Sequence, residues 1–125
     1  MSPRSDELLR SAHERLESAR DQLAAGHPET AVSTAYYAGL YAARAALSEH
    51  DLNARSHRGL WHLLRERVVA EGEIPDDLVR PLQKAQELRV AVDYDAQRVG
   101  EDEARELLAD AERLVAAVWE AFGDR

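Results

Sequence analysis

The residues best equipped for chemistry lie in one stretch, Leu88-Arg89-Val90-Ala91-Val92-Asp93-Tyr94-Asp95. An arginine, an acid and a tyrosine interrupt an apolar run there. Arg89 and Asp93 are four residues apart, so on a helix they share a face. Tyr94 falls roughly 140° round from Arg89 at about 100° per residue. A guanidinium grips phosphate with two parallel hydrogen bonds. An acid at i+4 would orient it, and a phenol would donate a further hydrogen bond. The same spacing also suits an intrahelical ion pair beside a packed tyrosine, with the pair worth only ~0.2–0.5 kcal/mol.

His57 is the imidazole best placed to join this stretch. Ser56 before it is a good N-cap, so His57 stands at a helix start, where free N–H groups and the dipole favour an anion. Arg55 and Arg58 flank it. A phosphate held by Arg55, Arg58 and Arg89 is the site these residues would build, with His57 as its acid or base. The alternative is a histidine that only packs or caps at a helix start. His62 and Glu66 share a face at i,i+4, but metal binding needs more ligands, so no metal is expected. His13, His27 and His50 read as surface or turn residues. There is no Gly-rich phosphate loop and no Ser/His/Asp arrangement, and no cofactor is expected. The chain has no cysteine, which excludes disulfides, zinc–thiolate sites and thiol nucleophiles.

Composition bounds the partners. The 125 residues are 45% hydrophobic and 32% charged, a globular balance that suits one domain spanning residues 1–125. The formal net charge of −8 argues against broad electrostatic binding of nucleic acid but leaves room for a local basic site. Lys84 is the single lysine among the cations. Arginine suits bidentate phosphate contacts, and a GC-rich coding bias would yield the same composition. The opening Met1-Ser2-Pro3-Arg4-Ser5-Asp6-Glu7 lacks the apolar core of a signal peptide. No apolar run is long enough to span a bilayer, so a cytoplasmic protein with no membrane partner is expected.

The elements that must position these residues are all helical. Ser5 reads as the N-cap of a first helix ending near Ala25, with Leu9, Ala12, Leu16, Ala19 and Leu23 on one face. Gly26 and Pro28 punctuate the turn. The second helix, Pro28 to about Glu49, has a middle dominated by alanine, with Gly39, three tyrosines (Tyr36, Tyr37, Tyr41) and one cation, Arg44. Small residues let helices approach closely. The apolar surface covers most of this helix, which asks for burial by sibling helices or by a second subunit. The tyrosines either fill the core or line a cleft. A third helix spans His57 to about Ala70. A fourth starts near Asp76-Asp77, with a kink or short first turn expected at Pro81. Glu101-Asp102-Glu103 opens a fifth, the acids matching the helix dipole. Trp61 and Trp119 read as packing or dimer contacts. The fold class is all-α, an antiparallel up-and-down bundle of four to five helices.

Four fragments now resemble the HEPN family (higher eukaryotes and prokaryotes nucleotide-binding). Ser33 to Leu47 looks like the second helix of that domain, and Arg55-Ser56-His57-Arg58-Gly59-Leu60 like the entry to its third. Ile74-Pro75-Asp76-Asp77-Leu78, then Glu87 to Tyr94, continue the resemblance in order over essentially the whole chain. The resemblance implies a helical bundle that homodimerises with its polar site near the dimer cleft. It also implies a metal-independent ribonuclease acting as toxin beside a minimal nucleotidyltransferase antitoxin. The family's nuclease signature is an arginine, four to six residues, then a histidine. Arg89 matches the arginine, but Tyr94 stands where the histidine would be, an Arg-x3-Asp-Tyr form. Tyrosine, with an ordinary pKa near 10, is a poor base at neutral pH. It can still donate to a phosphate or stack on a base. The ribonuclease expectation therefore stands beside a second one: a non-catalytic adaptor or nucleotide sensor that binds the nucleotidyltransferase.

Overall fold

A computed structural model describes residues 1–123. They form α1 (Pro3–Ala24), α2 (Pro28–Ser48), α3 (His57–Leu64), α4 (Asp76–Asp95) and α5 (Glu101–Phe122), with no strand among the described residues. Short connections turn the chain back at each end, giving the expected helical bundle.

The start of α1 differs from expectation. Ser2, not Ser5, is the N-cap, its hydroxyl accepting from the Ser5 N–H, and Pro3 takes the first turn. Proline's fixed φ suits that position. Ser5 is instead fully buried and donates to Glu49 Oε2 at 2.7 Å, tying α1 to the end of α2. Burial pushes the Glu49 carboxyl up, but hydrogen bonds from Ser5 and Ser2 outweigh this and hold it below the usual range.

The third helix also departs from a single run. α3 ends at Leu64, and Arg65–Val69 form one π-helical turn. Such turns insert an extra residue per turn and re-aim the side chains after them. Here the turn begins at Arg65, which bonds to Gln83 and Asp76 of α4. α4 runs unbroken through Pro81.

Helix α2 is the central element. It packs against α1, α3, α4 and α5 of the same chain. Its alanines at 31, 35, 38, 42, 43, 45 and 46 are all buried, so the small-residue circumference is accounted for within one chain. Trp61, Tyr36, Leu9, Leu47, Leu64, Ile74, Leu82 and Leu114 are the largest fully buried side chains of the core cluster. Trp61 is thus a packing residue, whereas Trp119 is half-exposed, with His13 at its edge.

Gly39 sets the distance between α2 and α4. A Cβ there would stand 2.5 Å from Leu82 Cδ1 and 2.8 Å from Leu82 Cγ. Leu82 is fully buried and has little room to retreat. Gly39→Ala gains ~1 kcal/mol of helix propensity against ~1–3 kcal/mol of overpacking. We expect Gly39→Ala to be neutral to mildly destabilising, and Gly39→Val to cost about 2–3 kcal/mol in urea unfolding. A valine variant as stable as wild type would mean that α2 and α4 are not in this close contact.

Candidate functional site

The structure brings Arg89, Asp93 and His57 together at the junction of α2, α3 and α4. Ser56 caps α3 by accepting from the Gly59 N–H at 3.0 Å. A side chain at 59 would push into that cap, since a Cβ would meet Ser56 Oγ at 2.9 Å. The Ser-His-x-Gly sequence therefore fixes the first turn of α3 and with it the His57 ring. That ring stacks on Tyr36 at 5.7 Å between centroids and meets Tyr37 edge-on at 6.0 Å.

Arg89 is 93% buried, at 7% exposure, with its guanidinium 5.5 Å from the Tyr36 ring centre and 5.4 Å from that of Tyr37. Its Nη2 lies 3.2 Å from His57 Nδ1. Its Nη1 reaches Asp93 Oδ2 only at 3.5 Å. Its Nε is buried with no hydrogen-bond partner among the described residues. Asp93 is held more tightly from elsewhere, accepting from the Ser33 hydroxyl at 2.5 Å. Among the described residues, the one carboxylate beside this buried cation therefore makes a long contact, is partly exposed and is shared with Ser33.

The hydrogen bonds also decide what His57 can do. A guanidinium only donates, so His57 Nδ1 is the acceptor and the ring proton sits on Nε2. Tyr36 stays protonated, because burial raises its pKa against the opposing pull of Trp61 and Arg89. Its hydroxyl accepts from Trp61 Nε1–H at 3.0 Å and donates to the same His57 Nδ1 at 3.2 Å. Burial, then Arg89, then Arg44 lower the His57 pKa. The imidazole is a neutral donor at Nε2, with its one lone pair engaged. Of the acid and base roles open to His57, this geometry leaves Nε2–H as the donor and engages the Nδ1 lone pair.

A titration follows from this. The folded pKa of His57 lies below its unfolded value. Its neutral form supports the fold fully above about pH 6.5, and that support is lost as pH falls through the unfolded and then the folded pKa. We expect NMR of the ring protons to show a midpoint below the ordinary value, and a partial rise in Arg89→Ala. A midpoint indifferent to Arg89 would contradict the contact.

Other expected site residues lie outside the cluster. Tyr94 is 77% exposed and is not among the partners of Arg89 or His57. Arg55 and Arg58 flank His57 on the surface and pair with no acid among the described residues. Sequence reasoning missed Ser33 as the anchor of Asp93, and Arg44 as a cation near His57, stacked on Tyr41 with Arg15 on the same ring. Arg44 stood out as the lone cation of α2, which was the available signal. His62 and Glu66 pair at 3.0 Å on an exposed face, and no group of three metal-binding side chains occurs among the described residues. His50, read as a surface or turn residue, lies in the turn after α2, where it is half-buried and bonded to Glu73 at 2.6 Å. No helix among the described residues is long and apolar enough to cross a membrane.

The chain is similar in sequence to several known proteins. The chain is 30% identical to UPF0332 protein glr0978 of Gloeobacter violaceus, over 96% of this chain and 97% of that relative. It is 35% identical to a UPF0332 protein of Archaeoglobus fulgidus over 88% and 90%. It is 31% identical to a Methanocaldococcus jannaschii protein named "Putative toxin MJ0605", over 92% and 86%. The HEPN domain matches residues 5–121, and with its helical order this chain belongs to the HEPN family.

Proposed function

We propose that the protein is the toxin-like half of a pair with a minimal nucleotidyltransferase, and that the Arg89–His57 cluster binds a phosphate of RNA or of a nucleotide. One observation carries the site: a guanidinium nine-tenths buried whose only acid neighbour among the described residues stands at 3.5 Å. Burying a cation is costly unless it is paired. An incoming phosphate completes the pairing, and His57 Nε2–H supplies a neutral donor to it. Arg44, Arg55 and Arg58 add positive potential on the approach. Two Methanocaldococcus jannaschii relatives, named "Putative toxin MJ0605" and "Putative toxin MJ0142", support the toxin part of the reading, not its pairing. The protein acts in the cytoplasm as a homodimer that places this cluster at its cleft.

Binding is better supported than cleavage. Attack by a ribose 2′-hydroxyl needs a base, and the His57 lone pair is taken by Arg89 and Tyr36. That observation favours the second reading, an adaptor or nucleotide sensor that holds phosphate without cutting RNA. Expression without the nucleotidyltransferase separates the two. Growth arrest, relieved by the partner, is the expected result. A soluble, folded protein that leaves growth unchanged would overturn the toxin assignment. Incubating a labelled RNA pool in EDTA then asks whether arrest reflects cleavage, which would leave 2′,3′-cyclic phosphate ends.

A further inference from the structure

We infer that the seam between α3 and α4 is a track for the phosphate backbone of single-stranded RNA. This rests on the phosphate-binding reading of the Arg89–His57 cluster. The seam is a cleft of about 370 Å³ lined by Arg58 and Arg65 on one side and Arg80 and Lys84 on the other. Glu87 is the one acid among its lining residues, and the chain as a whole carries −8. The cations are therefore concentrated against the average of the protein.

The other flank of α4 has the opposite sign. There a cleft of about 480 Å³ toward α5 is lined by Glu87, Glu103, Glu106 and Asp110, with Lys84 at its edge. Helix α4 thus separates an acidic groove from a basic one. A polyanion is repelled from the first and steered to the second.

The basic groove is also pre-ordered. Asp76 holds Arg80 at 2.5 Å and Arg65 at 2.9 Å, and one carboxylate cannot neutralise two guanidiniums. Arg65 further donates to Gln83 Oε1 at 2.7 Å, and the Gln83 amide N–H groups have no hydrogen-bond partner among the described residues. Arg58 and Lys84 are exposed and pair with no acid among the described residues. From Arg80 to Glu87 the groove follows α4 for about 10 Å, at about 1.5 Å per residue.

The groove and the cluster share the first turns of α3. Arg58 adjoins His57 in the chain. Trp61 floors the groove and donates to Tyr36, which donates to His57. RNA entering along the seam would present its next phosphate to the start of α3.

The test is the salt dependence of binding. The probe is a fluorescent oligouridine of about a dozen nucleotides. Wild type, Arg89→Ala and the double variant Arg80→Gln/Lys84→Gln are compared by anisotropy between about 50 and 200 mM salt. Each cation–phosphate pairing removed lowers the slope of log K against log salt by about 0.7 for a single strand, so the slope of the double variant falls by about 1.4. We expect that decrease with a roughly tenfold weaker affinity and an unchanged helical signal. An unchanged slope in the double variant, with binding abolished in Arg89→Ala, would overturn the track and leave the phosphate site standing. A reduced slope in the double variant with Arg89→Ala binding like wild type would overturn the site and leave the track. No binding by wild type would overturn both. If the double variant no longer bound the nucleotidyltransferase but kept its RNA slope, the groove would be a protein-docking surface and the track would fall.

Discussion

Arg89→Ala is expected to weaken RNA or nucleotide binding about 100-fold while the helical content is retained. A hydrogen-bonded charge pair that is largely removed from water costs about 2–5 kcal/mol when one partner is truncated. The lower part of that range corresponds to roughly 100-fold. The fold should survive because no charge is stranded. Asp93 keeps its bond to Ser33 and remains partly exposed, and His57 keeps Tyr36. The missing packing against Tyr36 and Tyr37 is offset in part by release of a cation from burial. Arg89→Lys should rescue only a fraction of binding, because an ammonium keeps the charge but lacks the planar fork. Anisotropy and circular dichroism on the same samples would check this. Full affinity in Arg89→Ala, or loss of affinity through unfolding alone, would both count against the assignment.

The second large effect falls on stability. Trp61→Ala should lower unfolding free energy by about 3–5 kcal/mol, the usual cost of truncating a buried aromatic. Trp61 is fully buried, and a domain of ordinary stability has only about 5–15 kcal/mol in total. The variant should therefore sit near the edge of folding. Tyr36→Phe dissects the polar part. It keeps the ring but strands the buried Trp61 N–H, which costs about 1–3 kcal/mol. It also leaves His57 Nδ1 to Arg89 alone, so the His57 titration should move with it. Urea unfolding measures both. A Trp61→Ala variant within about 1 kcal/mol of wild type would show that this tryptophan does not hold α2 and α3 together.

The helices were legible because their apolar spacing repeats at the helical period and their ends carry Gly, Pro and acidic signals. The Ser5 start was misread because proline at position 3 extends the helix toward Ser2, and a serine looks the same to sequence reading whether it caps or is buried. The π-helical turn after Leu64 left no signal, since it depends on how Arg65 meets α4. Within the site, Arg89 and Asp93 were legible as an i,i+4 pair. The approach of His57 was an expectation from helix order and charge. Its tautomer was not legible, because it is set by Arg89 and Tyr36 from two other helices. Tyr94 illustrates the limit of proximity in sequence. One residue beyond Asp93, it falls on a different face and is 77% exposed.

The most direct test of the central claim is the His57 ring signal followed by NMR as a short single-stranded RNA is added to wild type and to Arg89→Ala. A phosphate at this cluster places an anion beside His57 and is predicted to shift its ring resonances and raise its pKa in the wild type alone. Identical shifts in both proteins, or shifts confined to residues remote from α3 and α4, would contradict a phosphate site at Arg89 and His57.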